Sequence, residues 1–404
     1  MSKVNAKNQI RRTRILRALL DHGHLSMTDV ARTTGMTLPM VSRIVGVLKR
    51  SKLVVTSEER TTDGAGRPAT VVKLNGKAGI VLGIDMGHLN TNMVLLDLEQ
   101  NIVGEVHHQS LPLSNDPSLI AALRAEVRKV LKKAGVSNDR LRGIGISIPG
   151  IVRGREGISE TYLNFGRPLQ AILEEEFRKT VHVEHDAKAM ALGERWFGAA
   201  RGVSNALCLN IGWGLGMGII LDGRLYYGRD GYAGEFGHIL AVPNGPLCYC
   251  GKRGCLETVA SGMAIARTAR GRITRGEHSM LSELMKGNLE RIDAEQVLKA
   301  ALAGDESSIE ILNEAGRYLG EGVAKLINLF NPEMIVFGGR VSRAGEFILG
   351  PIRSTAMKQS LVQLGRNVKF TISPLGTRAG ALGVATLAAR DTFDVERLNP
   401  SAFV

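Results

Sequence analysis

Cysteine is scarce: four in 404 residues, three of them close together, which is no basis for a disulfide-built fold. Long apolar runs are missing too. No stretch approaches eighteen residues, so no membrane-spanning helix is expected. There is no low-complexity tract, and the opening M-S-K-V-N-A-K-N-Q has no signal-peptide core. With Cys208 free and the other thiols clustered, the cytoplasm is the expected compartment. Acidic residues are sparse at one end only. Residues 1–78 hold 15 Lys/Arg against 5 Asp/Glu, a net +10 of the chain's +13. A field of one sign on so small a region points to a polyanionic partner. The 44% apolar share is that of a globular protein, and the length suits two or three domains.

The basic region has a helical order. Ile15, Leu16, Leu19 and Leu20 repeat at helix spacing, and Asp21-His-Gly-His stops that helix. Ser26-x-x-Asp29 reads as a capping box opening a second helix, and Gly35 supplies a turn. Thr37 caps a third helix with Pro39 in its first turn. Its buried face is Val41, Ile44, Val45 and Leu48, which leaves Leu38, Pro39, Met40, Ser42 and Arg43 outward. Helix, glycine turn and helix make a helix-turn-helix. Leu53-Val-Val-Thr and Thr70-Val-Val-Lys-Leu read as a hairpin wing. Arg67, between Gly66 and Pro68, is presented on a slim extended tip that suits a minor groove. Expected DNA contacts are Thr37, Pro39, Met40, Ser42, Arg43 and Arg67.

The stretch 231–257, G-Y-A-G-E-F-G-H-I-L-A-V-P-N-G-P-L-C-Y-C-G-K-R-G-C-L-E, organises the rest. Cys248, Cys250 and Cys255 fall inside eight residues, and His238 lies ten residues before the first. Three cysteines packed as small hydrophobes would be the plainer reading. The polar, turn-forming Gly-Lys-Arg-Gly between them argues against it. Three thiolates and one imidazole are the inventory of a closed tetrahedral zinc site, structural because no position is left open. Glu235 and Glu257 flank the ligands and offer acceptors of the kind that recognise sugar hydroxyls.

G-E-x-G-H followed by C-x-C-G-x-x-G-C-x-E resembles the ROK family of sugar kinases and sugar-responsive repressors, over essentially the whole chain. The resemblance implies an α/β chain: a winged helix-turn-helix, then a two-lobed actin-like (ribonuclease H-like) sugar kinase fold with a cleft between lobes. The expected divisions are 1–78 for the DNA-binding domain, 79–200 for one lobe and 201–377 for the second, with the helix in 378–404 packing back on the first lobe. The strand-turn-strand units near 85 and 212 repeat one pattern, as such a fold requires.

The same resemblance implies that Asn164, His185, Asp186, Glu235, His238 and Glu257 contact a sugar. The family motif E-N-D-A-N stands here as Glu184-His-Asp-Ala-Lys188. Its Asp is the kinases' base, and Asp186 occupies that place. Asp186 could take a proton or only accept a hydrogen bond. The kinases' phosphate turns are altered. D-x-G-G-T keeps Asp85 and Gly87 but has His88 and Leu89, and G-T-G-x-G has Trp213 for Thr. Added bulk at such turns obstructs close backbone approach to phosphate. The expectation is a repressor, acting as a homodimer or tetramer, that binds operator DNA under a sugar effector. A kinase using ATP and magnesium, and a repressor under a partner protein, remain as alternatives.

Overall fold

A computed structural model describes residues 3–59 and 69–393. The chain forms two compact units: residues 1–147, 156–183 and 384–404, and residues 148–155 and 184–383.

The first unit begins with α1 (Lys3–His22), β1 (His24–Ser26), α2 (Met27–Thr34) and α3 (Leu38–Arg50), then β2 (Val54–Glu59) and β3 (Ala69–Leu74). Ser26 caps α2 by accepting the Asp29 amide at 3.1 Å. Its hydroxyl donates to Asp29 Oδ2 at 2.6 Å, so the short Asp side chain meets the Ser side chain. Gly35 ends α2 in the left-handed region, φ 67°. Ile15, Leu19, Val30, Val41 and Val45 are buried and hold the three helices together. β2 and β3 are antiparallel, and β1 adds to the other edge of β3. This is the winged helix. The wing tip with Arg67 lies outside the described residues.

The same unit continues with β4 (Ile80–Met86), β5 (Thr91–Asp97), β6 (His107–Gln109), α4 (Ser118–Lys133), β7 (Leu141–Ile148), α5 (Leu169–Phe177) and β10 (Thr180–His185). The short strands β8 (Val152–Arg153) and β9 (Ile158–Ser159) fall between β7 and α5. The sheet order is β10-β7-β4-β5-β6, with β4 antiparallel to β5 and parallel to β7. β4 and β5 are apolar along most of their length because both faces are covered.

The winged helix is tied to this sheet and to the C-terminal helix. Gln100 Nε2 donates to Leu20 O at 2.6 Å, and Lys73 pairs with Glu99 at 3.0 Å. Arg390 reaches Asp21 at 2.9 Å, and the Thr13 hydroxyl donates to Phe393 O at 2.8 Å.

The second unit holds α6 (Asp186–Phe197), β11 (Ala206–Ile211), β12 (Leu215–Leu221), β13 (Arg224–Leu225), α7 (Glu257–Ala260), α8 (Gly262–Thr274), α9 (Met280–Leu284), α10 (Ala294–Leu302), α11 (Glu306–Phe330), β14 (Met334–Gly338), α12 (Glu346–Gln359), α13 (Val362–Gly365) and β15 (Lys369–Ile372). Its sheet runs β13-β12-β11-β14-β15, with β11 antiparallel to β12 and parallel to β14. Each sheet thus has three antiparallel strands and, on the far side of the first, a strand parallel to it and one more beyond. The two sheets are one topology twice, the duplicated α/β plan of the actin-like sugar kinase fold. α11 packs on the sheet through Ile311, Leu319, Val323 and Ile327, and Asn331 ends it at φ 43°.

The last helix, α14 (Ala379–Thr392), serves both units. In the second, a Cβ at Gly193 would meet the Ala379 carbonyl and one at Gly383 the Ala189 carbonyl, so α6 and α14 touch backbone to backbone. In the first, Gly145 of β7 lies as close to the Val384 carbonyl. Among the described residues no helix is long and apolar enough to cross a membrane.

Candidate functional site

The cysteine loop is shaped by its backbone. Cys248 N donates to Lys252 O at 2.8 Å, Gly251 N to Cys248 O at 3.0 Å and Gly254 N to Pro246 O at 2.9 Å. Gly251 and Gly254 take φ 83° and 76°, which glycine adopts without strain. The result folds three sulfurs and an imidazole together. The ligand atoms of His238, Cys248, Cys250 and Cys255 all lie within 4.8 Å of one another. Cys248 Sγ is 3.6 Å from His238 Nδ1, and Cys250 Sγ 3.6 Å from Cys255 Sγ. A disulfide would need about 2.05 Å. Sulfurs on a tetrahedral metal at about 2.3 Å stand about 3.8 Å apart, so this spacing suits a shared metal ion.

His238 faces two ways. Nδ1 points to the thiols, while Nε2 lies 3.1 Å from the Tyr249 hydroxyl and 3.8 Å from Glu235 Oε2. A second partner of this kind fixes the ring of a metal-binding histidine. Glu257, two residues past Cys255, is buried and opens α7. Its Oε2 accepts the Leu215 amide at 2.8 Å, which joins the loop to the start of β12. Burial pushes the Glu257 carboxyl above its ordinary range.

Asp186 is the first residue of α6. Oδ1 accepts the Ala187 amide at 2.6 Å and Oδ2 accepts from Asn210 Nδ2 at 3.1 Å. His185 Nε2 lies 3.4 Å from Asp186 Oδ1. Burial, then the charge of Lys188, brings His185 down to about 3, so the ring is neutral at pH 7. The charges of Lys188 and His238 both reach His185, and that of Lys188 also reaches Glu235. The second unit therefore brings His185, Asp186, Glu235, His238 and Glu257 into one neighbourhood. Asn164 belongs to the first unit, exposed, with its Nδ2 donating to Glu160 O at 3.2 Å and its Oδ1 accepting the Gly166 amide at 3.3 Å.

Sequence reasoning missed Asn210 and Tyr249. Asn210 is the one polar residue in the strand A-L-C-L-N-I, just before the glycine turn. That position was the available signal.

The two glycine turns are occupied by bulk. In the first unit the His88 ring meets Tyr162 edge to face at 5.2 Å. Asp85, before it, accepts the Ser147 hydroxyl at 2.7 Å, and burial raises its carboxyl to about 6. In the second unit Gly212 N donates to Gly214 O at 3.0 Å, with Trp213 at the apex and 44% exposed. The Gly262 and Met263 amides, at the start of α8, donate to the Gly212 and Trp213 carbonyls at 2.9 and 3.1 Å.

On the winged helix, α3 buries Val41, Ile44, Val45 and Leu48. Thr37, Pro39, Ser42 and Arg43 are exposed and Met40 is half-buried. Thr37 holds the N-cap position, but its hydroxyl makes no capping bond. These residues form one outward row at the start of α3, the part of a recognition helix that enters a groove first.

Comparison with known proteins matches residues 81–391 to the ROK family. The chain belongs to the ROK family. Residues 9–66 match the MarR family of winged helices. The xylose repressor of Caldicellulosiruptor bescii is 30% identical over 390 residues, 95% of this chain and 96% of that protein. The glucokinase of Thermotoga maritima is 34% identical over 311 residues, covering 96% of the enzyme but 76% of this chain. A solved ROK family transcriptional regulator, described as a homolog of the E. coli MLC protein, superposes with a TM-score of 0.79 at 30% identity, over 96% of this chain and 97% of its own. The xylose repressor and the solved regulator match 95% and 96% of this chain, whereas the glucokinase matches 76% of it.

Proposed function

We propose that this ROK protein is a cytoplasmic transcriptional repressor of carbohydrate uptake or metabolism genes, with operator affinity set by a sugar or sugar derivative. The operator half of the reading uses Thr37, Pro39, Met40, Ser42 and Arg43 on α3, with Arg67 on the wing, in a homo-oligomer on a palindromic site. The effector half uses His185, Asp186, Glu235, His238 and Glu257, whose carboxylates and imidazoles suit a polyhydroxylated ligand. Asn164 joins them on its sequence match alone.

Zinc is the metal we assign to His238 Nδ1, Cys248, Cys250 and Cys255. Three thiolates with one imidazole select it, and four protein ligands leave no position for chemistry. Its role is to hold the loop that carries Glu235 and Glu257.

The observation that carries the reading is the exposed first turn of α3 in the same chain as a sugar-type carboxylate site. The test is a thermal-shift screen of hexoses, pentoses, amino sugars and their derivatives, followed by binding to DNA selected from random fragments at fixed salt. A sugar that raises the melting temperature should change operator affinity, and operator DNA should change sugar affinity by the same factor. DNA binding without sequence preference, or a bound sugar that leaves operator affinity unchanged, would refute it. Asp186, a carboxylate at hydroxyl-binding reach, keeps a kinase as the second reading. Sustained ATP consumption with a bound sugar, abolished by Asp186→Asn, would establish it.

A further inference from the structure

Two large apolar side chains stand exposed on the winged helix among the described residues, Ile10 at 48% and Leu38 at 46%. A lone exposed leucine is ordinary on a protein surface. Leu38 is not alone. It opens α3 in the run Leu38-Pro39-Met40, in which Leu38 and Pro39 are exposed and Met40 is half-buried. Three apolar residues in succession on an outward turn are unfavourable in water unless a partner covers them. The core is not that partner, because α3 packs inward through Val41, Ile44, Val45 and Leu48.

Charge selects the partner. From Val30 to Ser57 the chain has no Asp or Glu, against five basic residues: Arg32, Arg43, Lys49, Arg50 and Lys52. An apolar edge inside a field of one sign suits a polyanion that itself carries an apolar group. Duplex DNA presents such a group in its major groove, the 5-methyl of thymine. Leu38 and Ser42 are four residues apart on α3, and so are Pro39 and Arg43. That spacing sets the apolar edge beside the polar readers on one helix end.

We infer that Leu38 is a specificity-determining residue of the operator contact, and that it packs on the 5-methyl group of one thymine in each half-site, next to the base that Arg43 reads. The inference rests on the operator-binding reading above and deepens it. A leucine has no hydrogen-bonding side-chain atom, so it does not sort bases by donor and acceptor. It sorts them by the methyl, which thymine and 5-methylcytosine carry and which uracil and cytosine lack. Loss of one covered methyl is worth about fourfold in affinity, and about fifteenfold over both halves of a palindrome.

The test uses the full-length protein and duplexes recovered from a random-sequence library at fixed salt. Each symmetric pair of thymines in a recovered duplex is replaced in turn by deoxyuridine, and affinity is read by fluorescence anisotropy. One pair is expected to lose about fifteenfold. Leu38→Ala should bind thymine and uracil at that pair equally and keep the wild-type pattern at every other position. With cytosine at the pair, 5-methylation should restore affinity to wild type but not to Leu38→Ala. The variant should melt with wild type, because the side chain it shortens is exposed. Uracil tolerated at every pair, or a uracil penalty that persists in Leu38→Ala, would overturn the inference and leave the operator reading standing. So would an equal loss on selected and unselected duplexes. A change of oligomeric state in Leu38→Ala, read by sedimentation, would assign the residue to a second copy of the chain and overturn the inference as well. Failure to enrich any sequence would refute the operator reading itself, and this inference with it.

Discussion

Replacing Cys250 by Ser tests the zinc loop at its least buried thiol. The loop has little else to hold it. Leu240, Leu247 and Tyr249 are 60%, 62% and 59% exposed, so they contribute little burial. Five backbone bonds join its two arms: Ala241 and Val242 to Gly254, Gly254 to Pro246, Cys248 to Lys252 and Leu256 to Ile239. At about 1 kcal/mol each, they resist opening by about 5 kcal/mol. A structural zinc adds an apparent ~10–16 kcal/mol in small metal-dependent domains. Lys252 and Arg253 are exposed at the tip and are ready trypsin sites once the backbone can open. Cleavage through local opening changes about tenfold for every ~1.4 kcal/mol. Cys250→Ser should therefore lose its zinc and be cut at 252–253 at least about a thousandfold faster than wild type. The assay is metal analysis of freshly purified protein with timed trypsin digestion and mapping of the first cut. Sugar binding should fall in the same variant, since Glu257 lies two residues past Cys255. Wild-type protein that contains no zinc, or a chelated sample cut no faster, would refute the reasoning.

Arg43→Ala should weaken operator binding by about 1–3 kcal/mol and relax preference at one base position, read by fluorescence anisotropy at fixed salt. Burial keeps His185 neutral down to about 3, whereas an unfolded histidine takes up a proton near 6.5. Stability should therefore be intact above pH 6.5 and fall as pH drops towards 3, by about 2 kcal/mol at pH 5; urea unfolding of wild type and His185→Asn at pH 7 and pH 5 checks this. Asp85 has the opposite sign. Its carboxyl is raised to about 6, so the folded state is penalised as pH rises from about 4 and fully above 6. Asp85→Asn should stabilise the protein at pH 8 by about 1–3 kcal/mol and by almost nothing at pH 4, measured by the same unfolding series.

Much of the fold was legible because burial leaves a period in the sequence. The apolar repeat from Ile15 to Leu20 and the stripe Val41, Ile44, Val45 and Leu48 marked the first and third helices, and Gly35 marked the turn between the second and third. The glycine turns near 87 and 212 marked two hairpins. β1 was missed, since His-Leu-Ser is too short to alternate and is a strand only because β3 lies beside it. The parallel partnership of Ala206 with Met334 was equally invisible, because ladder bonds are made by backbone and leave no side-chain signature. At the site, cysteine spacing was enough to place a cluster. The burial of Lys188 was not readable, because a lysine in an amphipathic stretch is ordinarily exposed. Only the packed helix turns position 188 inward.

Two kinds of demand meet in a sugar kinase, and this chain answers them differently. Recognition of hydroxyls needs fixed acceptors, and on the proposed reading the His238–cysteine loop, the Glu257–Leu215 bond and the Asp186–Asn210 bond would supply them. Phosphoryl transfer needs open backbone donors around the phosphates, because positioning and charge stabilisation are nearly all of its catalysis. Here an indole tops one glycine turn and an imidazole set edge to face against Tyr162 fills the other. Two amides at the start of α8 are committed to carbonyls of the Trp213 turn. A winged helix precedes the whole, and the xylose repressor and the solved regulator match this chain along nearly its full length. On the proposed reading, sugar binding would survive in a chain whose phosphate turns are obstructed. The winged helix is anchored within the first unit through Asp21–Arg390 and Thr13–Phe393, whereas the proposed effector residues Asp186, Glu235 and Glu257 belong to the second.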